Sequence, residues 1–238
     1  MKHKIKLPEL LAPAGDFEKL KTALHYGADA VYLGLSDLSL RAKADNFTPA
    51  DLELASEFIR MMGKKFYVTI NIFPHNKDIP LIRDHLQFLK KIEPYGVIVS
   101  DPGVMEMLRE EIPDLPIHVS TQANVTNYQA AKFWEKIGAK RIVLSREITL
   151  DEIKEIRDNV SVELECFVHG AICISYSGRC YLSSFLANRS ANLGLCTNSC
   201  RWRFTLMEEK RPNEYLPVYE NDRGTFVLSP RDLCLIEY

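Results

Sequence analysis

The feature that most constrains this chain is a regular alternation of strand-length apolar runs with helical stretches. The runs are ELLAP (9–13), AVYLGL (30–35), FYVTINI (66–72), GVIVS (96–100), IHVS (117–120), RIVLS (141–145) and VELECFV (162–168). Between them, segments such as DFEKLKTALHYG, TPADLELASEFIRMMG and IPLIRDHLQFLKKIEPYG carry apolar residues at helical spacing. Asp16, Thr48, Asp101 and Asp151 stand where N-caps or first-turn acids belong, and Gly27, Gly63, Gly96 and Gly138 where C-cap glycines belong. Strand-helix alternation builds a parallel sheet, either doubly wound or closed as a (β/α)8 TIM-barrel-like parallel barrel. With 238 residues the chain is near the size of one such barrel. Its first strand-to-helix turn, APAGD, lacks the spaced glycines of a dinucleotide or P-loop site, which weakens the doubly wound reading.

Side-chain phase favours the barrel. Tyr67, Thr69 and Asn71 share one face of their strand while Val68, Ile70 and Ile72 share the other, so the apolar face is expected to meet helices. His118, Ser120 and Gln122 fall together in the same way, as do Glu163, Glu165 and Phe167. Polar groups are thus expected to converge near strand C-terminal ends, where barrel enzymes carry their sites. An eighth strand is expected at TFVLS (225–229), opening a last helix at PRDLCLIEY that stops short. About 55 residues separate it from the seventh strand, too many for a simple loop, so an inserted substructure is expected there. The resulting division is 1–170 for barrel units, 171–222 for an inserted cysteine-rich segment, and 223–238 for the last strand and a truncated helix.

The 46% hydrophobic and 26% charged composition is that of a globular chain able to bury a core. No signal-peptide-like run opens the sequence and no apolar stretch reaches membrane-spanning length, so a cytoplasmic protein with no membrane contact is expected. A net charge of -2 gives no global attraction to phosphate. Locally the balance reverses: from Ser175 to Arg211 six basic residues (Arg179, Arg189, Arg201, Arg203, Lys210, Arg211) face only Glu208 and Glu209.

In a reducing compartment the six cysteines read as thiols or metal ligands rather than disulfides. Cys173, Cys180, Cys196 and Cys200 follow the seventh strand closely, with glycines at 170, 178 and 194 that let the backbone bend around a shared centre. Their spacing leaves three readings open: an iron-sulfur cluster, a zinc site, or unrelated thiols. Cys166 lies out of phase with Glu165 and Phe167 and is expected to face the helices as a small core residue.

The run Glu165-Cys166-Phe167-Val168-His169-Gly170-Ala171-Ile172-Cys173, followed by Gly178-Arg179-Cys180-Tyr181-Leu182-Ser183, resembles the signature of the peptidase U-32 (collagenase-like peptidase) family. The resemblance extends to LLAPAGDFEKLKTALHYGADAVYLGL, to RAKADNFT around Arg41 and Asn46, and to VSTQANVTN around Gln122. It implies an iron-sulfur protein that hydroxylates RNA bases or ubiquinone precursors without molecular oxygen, using prephenate. NLGLCTNSCRWRF and RPNEYLPVYENDRGTF are most similar to the branch that forms 5-hydroxyuridine at the tRNA wobble position. The ribosomal RNA and quinone branches, and the peptidase of the family name, are the rivals. What the resemblance implies for this chain is a 4Fe-4S cluster on Cys173, Cys180, Cys196 and Cys200, with Cys234 as the alternative fourth ligand. The implied partners are tRNA and a small dicarboxylic acid. Family members are longer, so further substrate contacts are expected after Tyr238.

Individual side chains keep two readings each. Glu165 transfers a proton or orients substrate, or else forms a structural salt bridge. His169 moves a proton, bonds a cluster sulfur, or caps the strand. Arg41, Arg146, Arg179 and Arg189 carry forks suited to a dicarboxylate, with Asn71 and Gln122 beside them on polar strand faces. Trp202, Phe204 and Tyr181 stack unpaired bases or pack a small core of their own.

Overall fold

The structure, a computed structural model, describes residues 7–35, 38–39, 46–171, 173–202, 204–207, 209–210, 212–213, 215–217 and 232–234. Seven strands, β1 (Leu11–Pro13), β2 (Ala30–Gly34), β3 (Lys65–Ile70), β4 (Gly96–Val99), β5 (Ile117–Val119), β6 (Arg141–Val143) and β7 (Glu163–Glu165), pair in chain order. Every pairing is parallel. Six helices alternate with them: α1 (Phe17–His25), α2 (Pro49–Met61), α3 (Ile79–Ile92), α4 (Pro102–Glu111), α5 (Tyr128–Lys136) and α6 (Leu150–Asn159).

The helices begin where side-chain oxygens satisfy orphan N–H groups. Asp16, Thr48 and Asp101 accept from Lys19, Asp51 and Val104, while Thr149 and Glu152 form a reciprocal capping box, which places Asp151 in the first turn of α6. Gly27, Gly63 and Gly138 take positive φ after α1, α2 and α5. Gly96 does not cap α3. Glu93 takes the left-handed turn at φ 41, just before Pro94, and Gly96 opens β4. A Cβ at Gly96 would lie 2.9 Å from the Pro116 carbonyl oxygen, so close strand packing explains that glycine.

Each helix lays one stripe on the sheet: Leu52, Ala55 and Ile59 of α2, Ile82, Leu86, Leu89 and Ile92 of α3, and Val104, Met105 and Leu108 of α4 are buried. They join Phe66, Val68, Ile70 and Ile72 in one core, as the phase of β3 predicts. Each such Leu or Ile contributes about 1.5–3 kcal/mol relative to exposure. On the opposite face, Tyr67 packs with Ala30 and Ile98.

The sheet is strongly curled. Flat, β1 and β6 would lie five strand spacings apart, about 24 Å at roughly 4.8 Å each. Yet Glu9, just before β1, meets Arg141 of β6 at 3.0 Å. The seven strands therefore form a curled half-barrel. The expected eighth strand at 225–229 lies outside the described residues.

After β7 the chain forms β8 (His169–Ala171), α7 (Leu182–Ala187) and the hairpin of β9 (Thr205–Met207) with β10 (Tyr215–Pro217). Residues 232–234, expected to begin a final helix, instead form β11 (Asp232–Cys234), which pairs antiparallel with β8. At 232–234, backbone pairing with β8 overrides the local helical pattern. No helix among the described residues is long and apolar enough to cross a membrane.

Candidate functional site

The two ends of the curled sheet carry different polar groups. At the end where strands begin, Glu9 accepts from Lys65 Nζ at 2.6 Å, Tyr67 Oη at 2.8 Å and Arg141 Nη1 at 3.0 Å. Arg141 Nε donates to Glu163 at 2.9 Å and Nη1 reaches Glu165 at 3.4 Å, while the guanidinium lies 5.1 Å from the Tyr67 ring centroid. Burial opposes ionisation of Glu9, but the bonds from Lys65, Tyr67 and Arg141 outweigh it and hold the carboxyl at about 2. Burial raises Glu165, and Arg141 only partly offsets that. His118 sits 4.7 Å from the Tyr67 ring; burial, then the Arg141 charge, lower it to about 3 and keep it neutral. Its Nδ1 is buried without a hydrogen-bond partner among the described residues.

Arg141 opens β6 and Glu9 precedes β1, and Arg141 pairs with both Glu163, which opens β7, and Glu165, which ends it. Glu163 and His118 thus join a network toward the strand starts rather than the C-terminal ends. Glu165 thereby stands in an ion pair. Glu9 and Arg141 escaped the sequence reading, although charges opening strands in phase with Tyr67 were a signal for them.

At the C-terminal rim, Asn71, Ile72, Phe73, Ser100, Gln122, Arg179 and Asn192 line a small crevice. Asn71, Gln122 and Arg179, expected from sequence to touch substrate, meet here. Arg179 Nε donates to the Gln122 carbonyl at 2.9 Å, and the guanidinium lies 5.4 Å from the Phe73 ring centroid. Its terminal amino groups have no protein partner among the described residues. The Gln122 side-chain oxygen accepts from Ser120 Oγ, which turns its amino group free to donate. An Arg fork beside an amide donor on an aromatic shelf is suited to a carboxylate.

The cysteine segment is tied to this rim by three contacts that no spacing pattern foretold. Asn192 accepts from Cys180 N–H through its side chain at 2.9 Å and from Phe73 N–H through its carbonyl at 3.1 Å. Ser177, fully buried and left-handed at φ 46, bonds Ser145 Oγ at 3.0 Å and Glu147 Oε2 at 3.1 Å, and its N–H donates to Glu147 Oε1. Arg179 supplies the third tether.

Cys173, Cys180 and Cys200 are half-buried and Cys196 is exposed. Burial, then the neighbouring Cys173, Cys196 and Cys180, push the Cys200 thiol upward, so the four thiols share one neighbourhood. Backbone N–H groups of Leu182 and Asn198 point at the sulfurs of Cys180 and Cys196, at 3.2 and 3.4 Å, and Ser183 Oγ lies 3.9 Å from Cys196. Hydrogen bonds of this kind orient the sulfurs and are the sort that sulfur ligands accept. Among the described residues no three His, Cys, Asp or Glu side chains are grouped so as to hold a metal ion.

The remaining expected residues are dispersed. Arg41 lies outside the described residues. Arg146 stacks on Phe167 at 5.5 Å. Arg189 follows α7, and its Nε is buried without a hydrogen-bond partner among the described residues. His169 is exposed on β8, and its backbone pairs with that of Cys234. Cys166 lies past the end of β7 and is exposed by surface area, although partial burial still pushes its thiol upward.

A curled half-barrel of seven parallel strands with helices between them defines a barrel-type α/β protein, and the crevice lies beyond its strand C-termini. Residues 15–238 match the model of peptidase family U32, and the chain belongs to that family. It is similar to tRNA hydroxylation protein P1 of Bacillus subtilis (strain 168), 45% identical over 232 residues that cover 98% of this chain and 55% of that protein. It is also similar to tRNA hydroxylation protein P of Escherichia coli (strain K12), 38% identical over 271 residues covering 97% and 60%. The chain thus spans little more than half the length of these relatives. The solved U32 peptidase Mk0906 shares the fold, with a TM-score of 0.61 at 19% identity over 95% of this chain and 92% of that one.

Proposed function

We propose that this chain is the barrel and cysteine-bearing part of an oxygen-independent tRNA hydroxylase that forms 5-hydroxyuridine at the wobble position, with a 4Fe-4S cluster and prephenate as co-substrate. The observation that carries the reading is the junction at Arg179-Cys180. One residue lends its guanidinium to the carboxylate-suited crevice, and the next belongs to the four thiols that share a neighbourhood. The names of the two tRNA hydroxylation relatives support the reaction class.

Cys173, Cys180, Cys196 and Cys200 would hold the cluster, which when bound supplies one-electron chemistry beside the crevice. Arg179 and the Gln122 amide would receive one carboxylate of the dicarboxylic acid, with Asn71 and Ser100 forming the wall. Phe73 under the guanidinium holds the fork flat and limits water on that side. The uridine has to leave its stack to reach this rim, because no base edge enters a closed crevice while paired or stacked.

A peptidase working through a cysteine would need a base bonded to its thiol. No hydrogen bond joins His169 to a cysteine among the described residues, so that reading has less support. The direct test is nucleoside analysis of tRNA from cells lacking the protein and from cells complemented with it. Loss of 5-hydroxyuridine and its return on complementation are expected. Unchanged 5-hydroxyuridine would overturn the proposal.

A further inference from the structure

The cysteine segment turns large aromatic rings outward. Phe185 is 87% exposed, Tyr181 75%, Tyr176 57% and Trp202 48%. Tyr181 and Phe185 stand one helical turn apart, joined by the Phe185 N–H to Tyr181 carbonyl bond at 2.9 Å, so they occupy one face of α7. The other face points inward through Ser183, whose hydroxyl meets Thr197 at 3.1 Å and faces Cys196. Trp202 follows the turn that contains Cys200, and its ring stacks with Phe204 at 6.5 Å and 22°. Folding gains nothing from rings left in water, and clustered exposed aromatics mark a contact surface.

The charge around them identifies the occupant. From Cys166 to Met207 the sequence has no Asp or Glu, in a chain with 32 of them, yet it holds Arg179, Arg189, Arg201 and Arg203. Glu147, the carboxylate that touches this segment from the barrel, is turned onto Ser177. A surface for another protein has no reason to exclude one sign of charge over a stretch of this length, whereas a surface for a polyanion does. Exposed rings in a segment that carries arginines and no carboxylates can stack bases whatever their identity, provided the bases are unpaired.

We infer that the outward face of α7, with Trp202 beside it, is a stacking platform for the unpaired bases of an RNA loop, placed next to the thiols so that a looped-out nucleotide is held at the rim. The inference rests on the proposed tRNA reading and specifies where and how the RNA docks. The test uses the full chain prepared anaerobically and two fluorescently labelled RNAs, a hairpin with an unpaired loop and a fully paired duplex of equal length. Phe185→Ala and Tyr181→Ala are each expected to weaken hairpin binding about tenfold while leaving duplex binding unchanged. Phe185→Trp and Tyr181→Phe are expected to retain it, with iron and sulfide per chain equal to wild type in all four variants.

Hairpin affinity unchanged in both alanine variants that keep their iron would overturn the platform, as would equal loss on hairpin and duplex. A halving of the light-scattering mass on Phe185→Ala would also overturn it, by assigning the face to a second copy of the chain. If the rings bind the loop and yet 5-hydroxyuridine does not depend on the protein, the modification fails and the platform stands. If 5-hydroxyuridine depends on the protein and binding does not depend on the rings, the platform fails and the modification stands.

Discussion

The two mouths of the curled sheet hold polar side chains in opposite economies. Toward the strand starts, Glu9, Lys65, Tyr67, Arg141 and Glu163 satisfy one another and draw in Glu165 from the end of β7. Where strands end, Arg179 and Gln122 keep donors without partners among the described residues, and the segment beyond is fastened by Ser177, Asn192 and Arg179 while its rings face water. A closed network gives stability and fixes curvature. An open one gives a place to bind. The contrast teaches that a charged residue inside a barrel is read by its partners: Glu165, a candidate acid in the sequence, belongs to the closed end.

The contrast breaks most visibly at Arg141. Arg141→Ala would leave the Glu9 and Glu165 carboxylates partly buried beside no guanidinium, a loss of about 3–5 kcal/mol in denaturant unfolding. The folded fraction should still carry wild-type iron, because the thiols lie at the other end. A loss of iron with unchanged stability would mean that the two ends are not separate.

Acid should act on the closed end next. Unfolded His118 takes up a proton below its ordinary 6.5, whereas the folded residue stays neutral down to about 3, so its contribution is full above 6.5 and is lost as pH falls toward 3. Glu9 contributes fully above 4.5 and loses that contribution as pH falls toward 2. Glu165, raised by burial, works in the opposite direction and recovers part of the loss as it protonates. Unfolding midpoints should therefore fall from pH 6.5 downward, and His118→Gln should flatten the upper part of that slope. A midpoint that rises on acidification across this window would contradict the assignment.

The smallest global effect is expected at the open end. Glu147→Ala removes the clasp on the left-handed Ser177, at a local cost of about 1–3 kcal/mol. Hydrogen exchange should accelerate within residues 173–202, while the unfolding midpoint of the barrel core stays near wild type. Uniform acceleration across the barrel would show that the segment is not a separate unit.

The barrel half was legible because period-2 strands and capped helices are local patterns. Thr48, Asp101 and the Val68-Ile70-Ile72 face are where those patterns put them. The meeting of Asn71 with Gln122 was legible too, since both end polar strand faces. Arg179 joined them through the family resemblance and its fork, not through periodicity. What escaped depends on partners distant in sequence. Arg141 meets Glu9 across 132 positions, and Asp232–Cys234 forms a strand because β8 offers an edge. Glu147 and Asn192 carry no signature at all; their roles appear only once the cysteine segment folds back over the rim.

The central claim is that four specific thiolates hold an iron-sulfur cluster beside the crevice. The most direct measurement is iron and acid-labile sulfide per chain after anaerobic purification, for the wild type and for Cys166, Cys173, Cys180, Cys196, Cys200 and Cys234 each changed to alanine. About four irons and four sulfides per chain are expected in the wild type, Cys166→Ala and Cys234→Ala, with loss in the other four variants. Stoichiometric zinc without sulfide, or full iron retained in Cys200→Ala and lost in Cys234→Ala, would contradict this assignment.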